Sequence, residues 1–513
     1  MSGTRGGRVS SRIHLARVGE GAVPGPGPGQ AAIALAAPVA ADAPSAQPVA
    51  EAIQASPGRR RLDGLDAFRG CLVVLRILVG SQVAGLAASV IQHAEPFGLT
   101  FADLVFPGFL FIMGMAIPVS MSAFLRPVAA HGPGGADRRS HILRIVRRAA
   151  LLYAIGTFLN AYPFLPEILE HLRFVGVLQR LGVVYLIVSI LYVTCAWSLL
   201  PVTGRPADGG EAAPPVGARP RGGRRLARAF LLGGFPLLCA GLWIVATYTF
   251  HSPWPECADV HGLVPDCSLE AYVDTNVWGV HHNFEEGAFD PEGLMSTLVA
   301  VVNCWAGLII GMDILRNKPR YSAIADVRRR VSLLICAGTV CVGAGLALGL
   351  VIPVGKPLWT PSYALVTVGI MTAGFGVVLL AFDGGLWPMS ACSAPAPGPG
   401  AGCRSRHWLP SAAGRVRSAV RRGLVPAGDT LIALGRNPLF FYVLSELVIT
   451  TLDYIPVRYH GREESAWSLG AEAFLVPWMP APLASMVWAL VWLLLFYVPL
   501  GRLLVARGWY IRV

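Results

Sequence analysis

Charge is scarce in this chain. Asp, Glu, Lys and Arg supply 14% of its 513 residues against 54% hydrophobic residues, too little polar surface to coat a soluble globule of that size. A soluble enzyme is thereby excluded, and much of the apolar surface must face lipid. The ten cysteines contain no C-x-x-C spacing, so no metal site is expected. No soluble domain able to build its own core is left over, because the largest outer loop, 251–292, has only about forty residues. Whatever the protein does must be done within a bundle of helices.

What the chain does have is a series of apolar runs near twenty residues long, the length a helix needs to cross a hydrocarbon core of about 30 Å. Ten spans are read, near 71–91, 101–124, 149–165, 181–200, 228–250, 293–315, 331–353, 362–383, 429–451 and 481–505. The fold class is therefore all-α: a polytopic integral membrane protein of about ten transmembrane helices in one bundle, with the lipid bilayer as its solvent.

The formal excess of +12 would suggest a nucleic-acid partner in a soluble protein. Here its distribution excludes one. The loops 125–148, 201–228, 316–330 and 384–428 hold 24 Lys and Arg together, and the intervening loops hold four, Arg173, Lys356, Arg458 and Arg462. By the positive-inside rule this alternation puts the basic loops and both termini in the cytoplasm, with Arg59, Arg60 and Arg61 holding the N-terminus there. A bacterial inner membrane is the expected location.

Residues 1–58 are rich in Ala, Pro and Gly and lack hydrophobic periodicity, so a disordered cytoplasmic segment is expected there. The helical domain then spans 59–513, with the long outer loop 251–292 and a cytoplasmic low-complexity insert at 384–428. Most cysteines fall inside spans as small apolar fillers. Cys257 and Cys267 instead share the outer loop, where a disulfide between them is open.

Ionisable groups in or beside a span are costly unless they face a cavity or a partner, so each is a functional candidate. Asp66 and Arg69 open the first span and Arg76 lies within it. Asp103 begins the second, Arg180 heads the fourth, and Arg436 with Asn437 enters the ninth. Asp66 and Arg69 stand three apart on one helical face, so mutual pairing that anchors the helix competes with a substrate role. The loop 251–292 holds nine acidic residues, His251, His261, His281 and His282, and no Lys or Arg. Such a loop attracts cations, although translocated loops shed positive charge in any case.

The outer segment after the first span reads His93-Ala94-Glu95-Pro96-Phe97-Gly98-Leu99-Thr100-Phe101-Ala102-Asp103-Leu104-Val105-Phe106-Pro107, followed by Phe109-Leu110-Phe111 and Gly114. With it go Gly176-Val177-Leu178-Gln179-Arg180 and Tyr185, then Asp290-Pro291-Glu292-Gly293 with Thr297, Gly307 and Gly311. Leu358-Trp359-Thr360 with Ser362 and Tyr363, and finally Gly435, Asn437 and Tyr442, complete five ordered blocks between about residues 60 and 450. Together they resemble the heparan-α-glucosaminide N-acetyltransferase family, membrane enzymes that acetylate a sugar amine across a membrane with cytosolic acetyl-CoA.

The resemblance implies that His93 is the catalytic residue. An imidazole can take a proton from an attacking amine or carry an acyl group from a thioester; a loop His with only a hydrogen-bonding role is the alternative. Asp66, Arg69, Gln82, Asp103, Arg180, Asp290, Glu292 and Asn437 are candidates for substrate or acetyl-CoA binding, with Asp290 and Glu292 where the outer loop re-enters the membrane. One departure matters. The family usually has an Asn late in the first helix, where counting from Asp66 gives Gly80 and counting back from His93 gives Gln82. Arg76 also replaces an expected apolar residue. The implied partners are acetyl-CoA as co-substrate and a carbohydrate acceptor; a homodimer stays open. A transporter or flippase for a sugar-linked substrate, or an inactive family member, is the alternative reading.

Overall fold

The computed structural model describes residues 62–94, 97–131, 135–199, 229–258, 263–316, 324–383, 426–459 and 461–511, with the single residues 226 and 260. The Ala/Pro/Gly-rich segment 1–58, nearly all of the 384–428 insert, and His261 lie outside the described residues. Residues 61–513 form one compact unit.

The chain is an all-α polytopic membrane protein. Helices α1 (Asp63–Gly80), α2 (Val105–His131), α3 (Gly135–Ala161), the short α4 (Pro166–Glu170), α5 (Val177–Leu199) and α6 (Phe235–Thr249) come first. After α7 (Leu269–Val277) in the long loop come α8 (Leu294–Arg316), α9 (Ile324–Leu348) and α10 (Pro361–Phe382). A helix α11 (Pro426–Gly435) precedes α12 (Pro438–Asp453). A hairpin of β1 (Pro456–Tyr459) and β2 (Arg462–Ser465) leads to α13 (Ala466–Phe474), α14 (Ala481–Trp492) and α15 (Val498–Ala506).

Among the described residues, seven helices are long and apolar enough to cross a membrane, or eight if the bent pair α11 and α12 makes one span. The expectation of about ten differs because α1 and α3, which take the first and third places, are more charged. Asp63, Asp66, Arg69 and Arg76 lie on α1, and α3 carries Arg144, Arg147 and Arg148. The first helix is also displaced from 71–91 to 63–80. It stops at Ser81, whose amide bonds back to the Ile77 carbonyl at 2.9 Å, and the chain then turns through Gly85 at φ 77°, a backbone conformation that favours glycine.

Apolar transfer out of water does not drive helix pairing inside lipid, so close approach at small residues must. At the α2–α8 contact, a side chain added at Gly114 would meet the Cys304 carbonyl oxygen at 1.9 Å, and one at Gly307 the Phe111 carbonyl oxygen at 1.8 Å. These motif glycines bring the two backbones together. Around that contact α2, α5, α8 and α10 bury most of their apolar stretch, whereas α6 and α9 bury only about a sixth of theirs.

The break between α11 and α12 bends the chain by 86°. Proline at 438 disfavours helical backbone at Asn437, which sits at φ −129°. The Asn437 amide then clamps the chain end, donating to the Trp509 carbonyl at 3.1 Å and accepting from the Ile511 amide at 2.9 Å. In the long loop, Cys257 and Cys267 form a disulfide with Cα atoms 5.6 Å apart.

Several contacts place the loops after α1, α3, α6 and α9 and the last turn of α12 at one end of the bundle. Gly98 donates to the Val354 carbonyl at 2.7 Å, His282 contacts the Leu172 carbonyl at 2.9 Å, and Tyr162 meets Thr451 at 2.8 Å. If the glycine contact holds α2 to α8, Gly307→Val should destabilise the detergent-solubilised protein by about 1–3 kcal/mol, the usual cost of overpacking. The control is Gly343→Val on α9, where an added Cβ meets nothing within 4 Å. Thermal unfolding of both variants checks this; equal midpoints would contradict it.

Candidate active site

The turn-rich segment that follows α1 brings His93 to the start of α2. Its Nδ1 lies 2.7 Å from Oδ1 of Asp103. The Asp103 side chain is fully buried, while that of His93 is 54% exposed, so one face of the imidazole is anchored and the other is open. The second Asp103 oxygen accepts from the Thr100 amide at 3.0 Å, the Thr100 hydroxyl at 2.9 Å and the Ala94 amide at 3.3 Å. A buried carboxylate is tolerated only with such compensation. Below it, the Tyr363 hydroxyl donates to the Asp103 carbonyl at 2.6 Å, tying the His93 loop to α10.

Lys356, on the loop before α10, places Nζ 3.2 Å from His93 Nδ1 and 3.1 Å from Nε2. The chain has only two lysines, Lys318 and Lys356, and one of them stands against this imidazole. Burial pulls the Lys356 ammonium below its ordinary range, against the opposing effects of Glu292 and Asp103.

Under this group lies an aromatic floor. Phe106 and Tyr363 each meet Trp359 edge-on with ring centroids 5.2 Å apart. Trp359 is buried at φ 48°, a left-handed conformation uncommon for a bulky residue, and its ring nitrogen donates to Asn303 at 3.0 Å. The Arg180 guanidinium stacks over Trp359 at 5.1 Å and Phe106 at 5.6 Å. It also donates to the carbonyls of Pro291 at 2.7 Å and Gly293 at 3.2 Å, and to Ser296. Arg180 therefore joins α5 to the start of α8.

Beside the floor, Arg173 grips both Asp290 and Glu292. Asp290 also accepts from the amides of Phe284 at 3.0 Å and Glu292 at 2.8 Å. Burial alone would raise the Glu292 carboxyl, but Arg173 and Arg180 outweigh it and hold it below the usual range. Asp274 on α7 accepts from the Asp290 amide at 3.1 Å and the Leu294 amide at 3.2 Å. Burial pushes its carboxyl up to about 6, with the charge of Asp290 adding to the effect. Lys356 lies within electrostatic reach of Glu292, so the two clusters belong to one polar layer.

The structure thus brings His93, Asp103, Arg180, Asp290 and Glu292 to one end and leaves other candidates elsewhere. Asp66 pairs with Arg69 at 3.3 Å and Arg436 at 3.8 Å. Fourteen residues of helix, roughly 20 Å, separate Asp66 from the end of α1 that leads to His93. Asn437 clamps the chain end. The Gln82 amide donates to the Leu78 carbonyl at 2.7 Å and accepts from Ser485 at 2.8 Å, fastening α1 to α14.

The departures at Gly80 and Arg76 are one feature in space. A side chain at Gly80 would meet the Arg76 guanidinium at 1.7 Å, so Arg76 fills the space beside Gly80. Arg76 pairs with Glu446 and lies 5.0 Å over the Tyr442 ring. Arg173, Lys356 and Glu446 were not among the sequence candidates. Arg173 and Lys356 are conspicuous as the sole Lys or Arg of their loops; Glu446, mid-helix on α12, gives only the general signal of charge within a span.

Among the described residues, one group has metal-ligand character. Side-chain atoms of His171, His281 and Glu286 all lie within 4.8 Å of one another, all three residues being exposed, and Glu286 already bonds His171 Nδ1 at 2.8 Å.

No protein-family model matches the chain. Two curated relatives do. Human heparan-α-glucosaminide N-acetyltransferase is 30% identical over 352 residues, 62% of this chain and 48% of that protein. The mouse protein of the same name is 28% identical over 359 residues, 64% of this chain and 50% of that protein. The chain thus spans about half the length of the curated relatives it matches. It is similar to heparan-α-glucosaminide N-acetyltransferases over more than half of its own length.

Proposed function

We propose that this protein is a membrane acetyltransferase that moves an acetyl group from cytosolic acetyl-CoA to a carbohydrate on the opposite side, using His93. The observation that carries this reading is the His93–Asp103 hydrogen bond at 2.7 Å, with one partner buried and the other open. A carboxylate accepting from Nδ1–H fixes the tautomer with the lone pair on Nε2 and stabilises the imidazolium that forms when it takes a proton. In direct transfer, His93 removes the proton from an acceptor hydroxyl or amine as that atom bonds the acetyl carbon. The carbon–sulfur bond breaks, and the proton passes to the departing thiolate to leave free CoA. Lys356, 3.1 Å from Nε2, is placed to donate to the carbonyl oxygen as it gains negative charge.

The nucleotide of acetyl-CoA would lie near the basic loops, with its pantetheine arm extending into the bundle toward the aromatic floor of Trp359, Phe106 and Tyr363. Asp290, Glu292 and Arg173 would shape the acceptor side. A transport reading draws on the 86° break between α11 and α12, since broken helices mark many substrate pathways. Transport leaves its substrate unmodified, whereas acyl transfer releases free CoA.

Free CoA released by purified protein with acetyl-CoA and an acceptor panel measures the reaction. His93→Ala should lower turnover by about two orders of magnitude or more, with thermal stability unchanged because the side chain is largely exposed. His251→Ala is the control, an exposed loop imidazole that contacts the neighbouring Thr249 carbonyl at 3.2 Å. Near-normal turnover in His93→Ala would remove His93 from the reaction.

A second prediction concerns Lys356. Its ammonium is lowered by burial, so as pH rises it loses its proton earlier than a free lysine, and the rate should fall along an alkaline limb. Lys356→Met should reduce kcat by about tenfold or more and lack that limb, while Lys356→Arg should keep activity and move the limb to higher pH. A pH–rate profile of Lys356→Met that matches the unmodified protein would contradict the role.

A further inference from the structure

A cavity of about 180 Å³ opens among the ends of α3, α5 and α12, several times the ~30 Å³ that one water occupies in the liquid and enough for a single sugar-sized ring. Its wall includes Asn160, Arg173, Gln179, Tyr442 and Glu446. Two features mark it as built for a ligand. The side-chain nitrogen of Gln179 is buried and finds no hydrogen-bond partner among the described residues, and Gln179 is itself only 2% exposed. An amide left in that condition costs on the order of 1–3 kcal/mol unless something enters to accept from it. The amide is also fixed in the wall, since it lies so close to two glycines that side chains at Gly156 and Gly176 would meet its carbonyl oxygen at 2.3 and 2.8 Å.

The charge on the wall decides what fits. Glu446 is a third exposed, so its carboxylate reaches the cavity, but Arg76 behind it is already its partner. Arg173 is committed to Asp290 and Glu292. Neither the Glu446 carboxylate nor the Asp290–Glu292 pair stands without a guanidinium, so an ammonium group entering here gains no uncompensated countercharge. What remains is an alternation of neutral donors and shared acceptors, the pattern that suits vicinal hydroxyl groups.

Building on the acetyltransferase reading, we propose that this cavity, with Gln179 donating and the Arg76-neutralised Glu446 accepting, binds an uncharged hydroxyl-rich ring of the acceptor and disfavours an amino sugar in its cationic form. Arg76 is then a specificity determinant. It fills the space beside Gly80 and cancels a carboxylate that would otherwise recruit an ammonium group. The cavity shares Arg173 with the polar layer that contains Glu292, so a ring held there lies beside the groups that surround His93.

Binding without acetyl-CoA tests this, because it is read whether or not the protein turns over. Saturation-transfer NMR titrations of the full chain in nanodiscs at pH 6 would compare methyl β-D-glucopyranoside with D-glucosamine, whose amine is charged there. The neutral glycoside should bind at least tenfold more tightly. Gln179→Leu should weaken it by tenfold or more, since a site built to hydrogen-bond a hydroxyl loses that discrimination with the partner. Arg76→Leu, which frees Glu446, should shift the preference toward glucosamine. Glucosamine binding as tightly as the glycoside in the unmodified protein, or glycoside binding unchanged in Gln179→Leu, would overturn the proposal. Sugar binding without CoA release would count against acetyl transfer and leave the cavity assignment standing.

Discussion

Arg173 gripping Asp290 and Glu292, with Arg180 beside it, is the interaction on which the rest of this end of the molecule depends. Charges withdrawn from water must find opposite charges and hydrogen bonds, or the segment that carries them will not stay buried. Here the loop before α5 and the first turn of α5 supply the cations and the loop before α8 the anions, so the pairing draws the two helix starts together. Arg180 continues the layer by binding the carbonyls around Gly293 and stacking on Trp359. That ring in turn supports Tyr363, which holds the Asp103 backbone, and Asp103 holds His93. The position of one exposed imidazole is thus set by a chain of contacts through buried charge and aromatic surface.

The all-α membrane fold was legible because it rests on length and composition. The finer element bounds were not: α1 sits eight residues earlier than the apolar run suggests, since helix start and stop are decided by local turns such as Ser81 and Gly85. Of the candidate residues, those on loops at motif edges converge in space, as His93, Asp103, Asp290 and Glu292 do. Asp66 and Asn437 carry equally plain signals but serve pairing and chain-end clamping, and nothing in a single sequence separates a buried charge that anchors from one that binds. Lys356 was visible as an isolated cation and yet silent as to its partner, because its contact with His93 crosses more than 260 positions.

Gly80 and Arg76 show why departures are better read in pairs. Each alone looks like a loss, of an amide in one case and of an apolar contact in the other. In space the larger residue fills the volume vacated by the smaller and carries its charge to Glu446. The compensation is local, and it changes the electrostatics of a wall that faces a cavity while leaving the His93–Asp103 pair untouched.

The central claim is that acetyl groups cross from one side of the bundle to a carbohydrate on the other. Proteoliposomes with one protein orientation, labelled acetyl-CoA on the face of the basic loops and a carbohydrate panel on the His93 face, test it most directly. Labelled acetyl ester or amide should appear on the carbohydrate, with free CoA accumulating where acetyl-CoA was supplied. Carbohydrate that passes across the membrane unmodified, with acetyl-CoA intact, would contradict it.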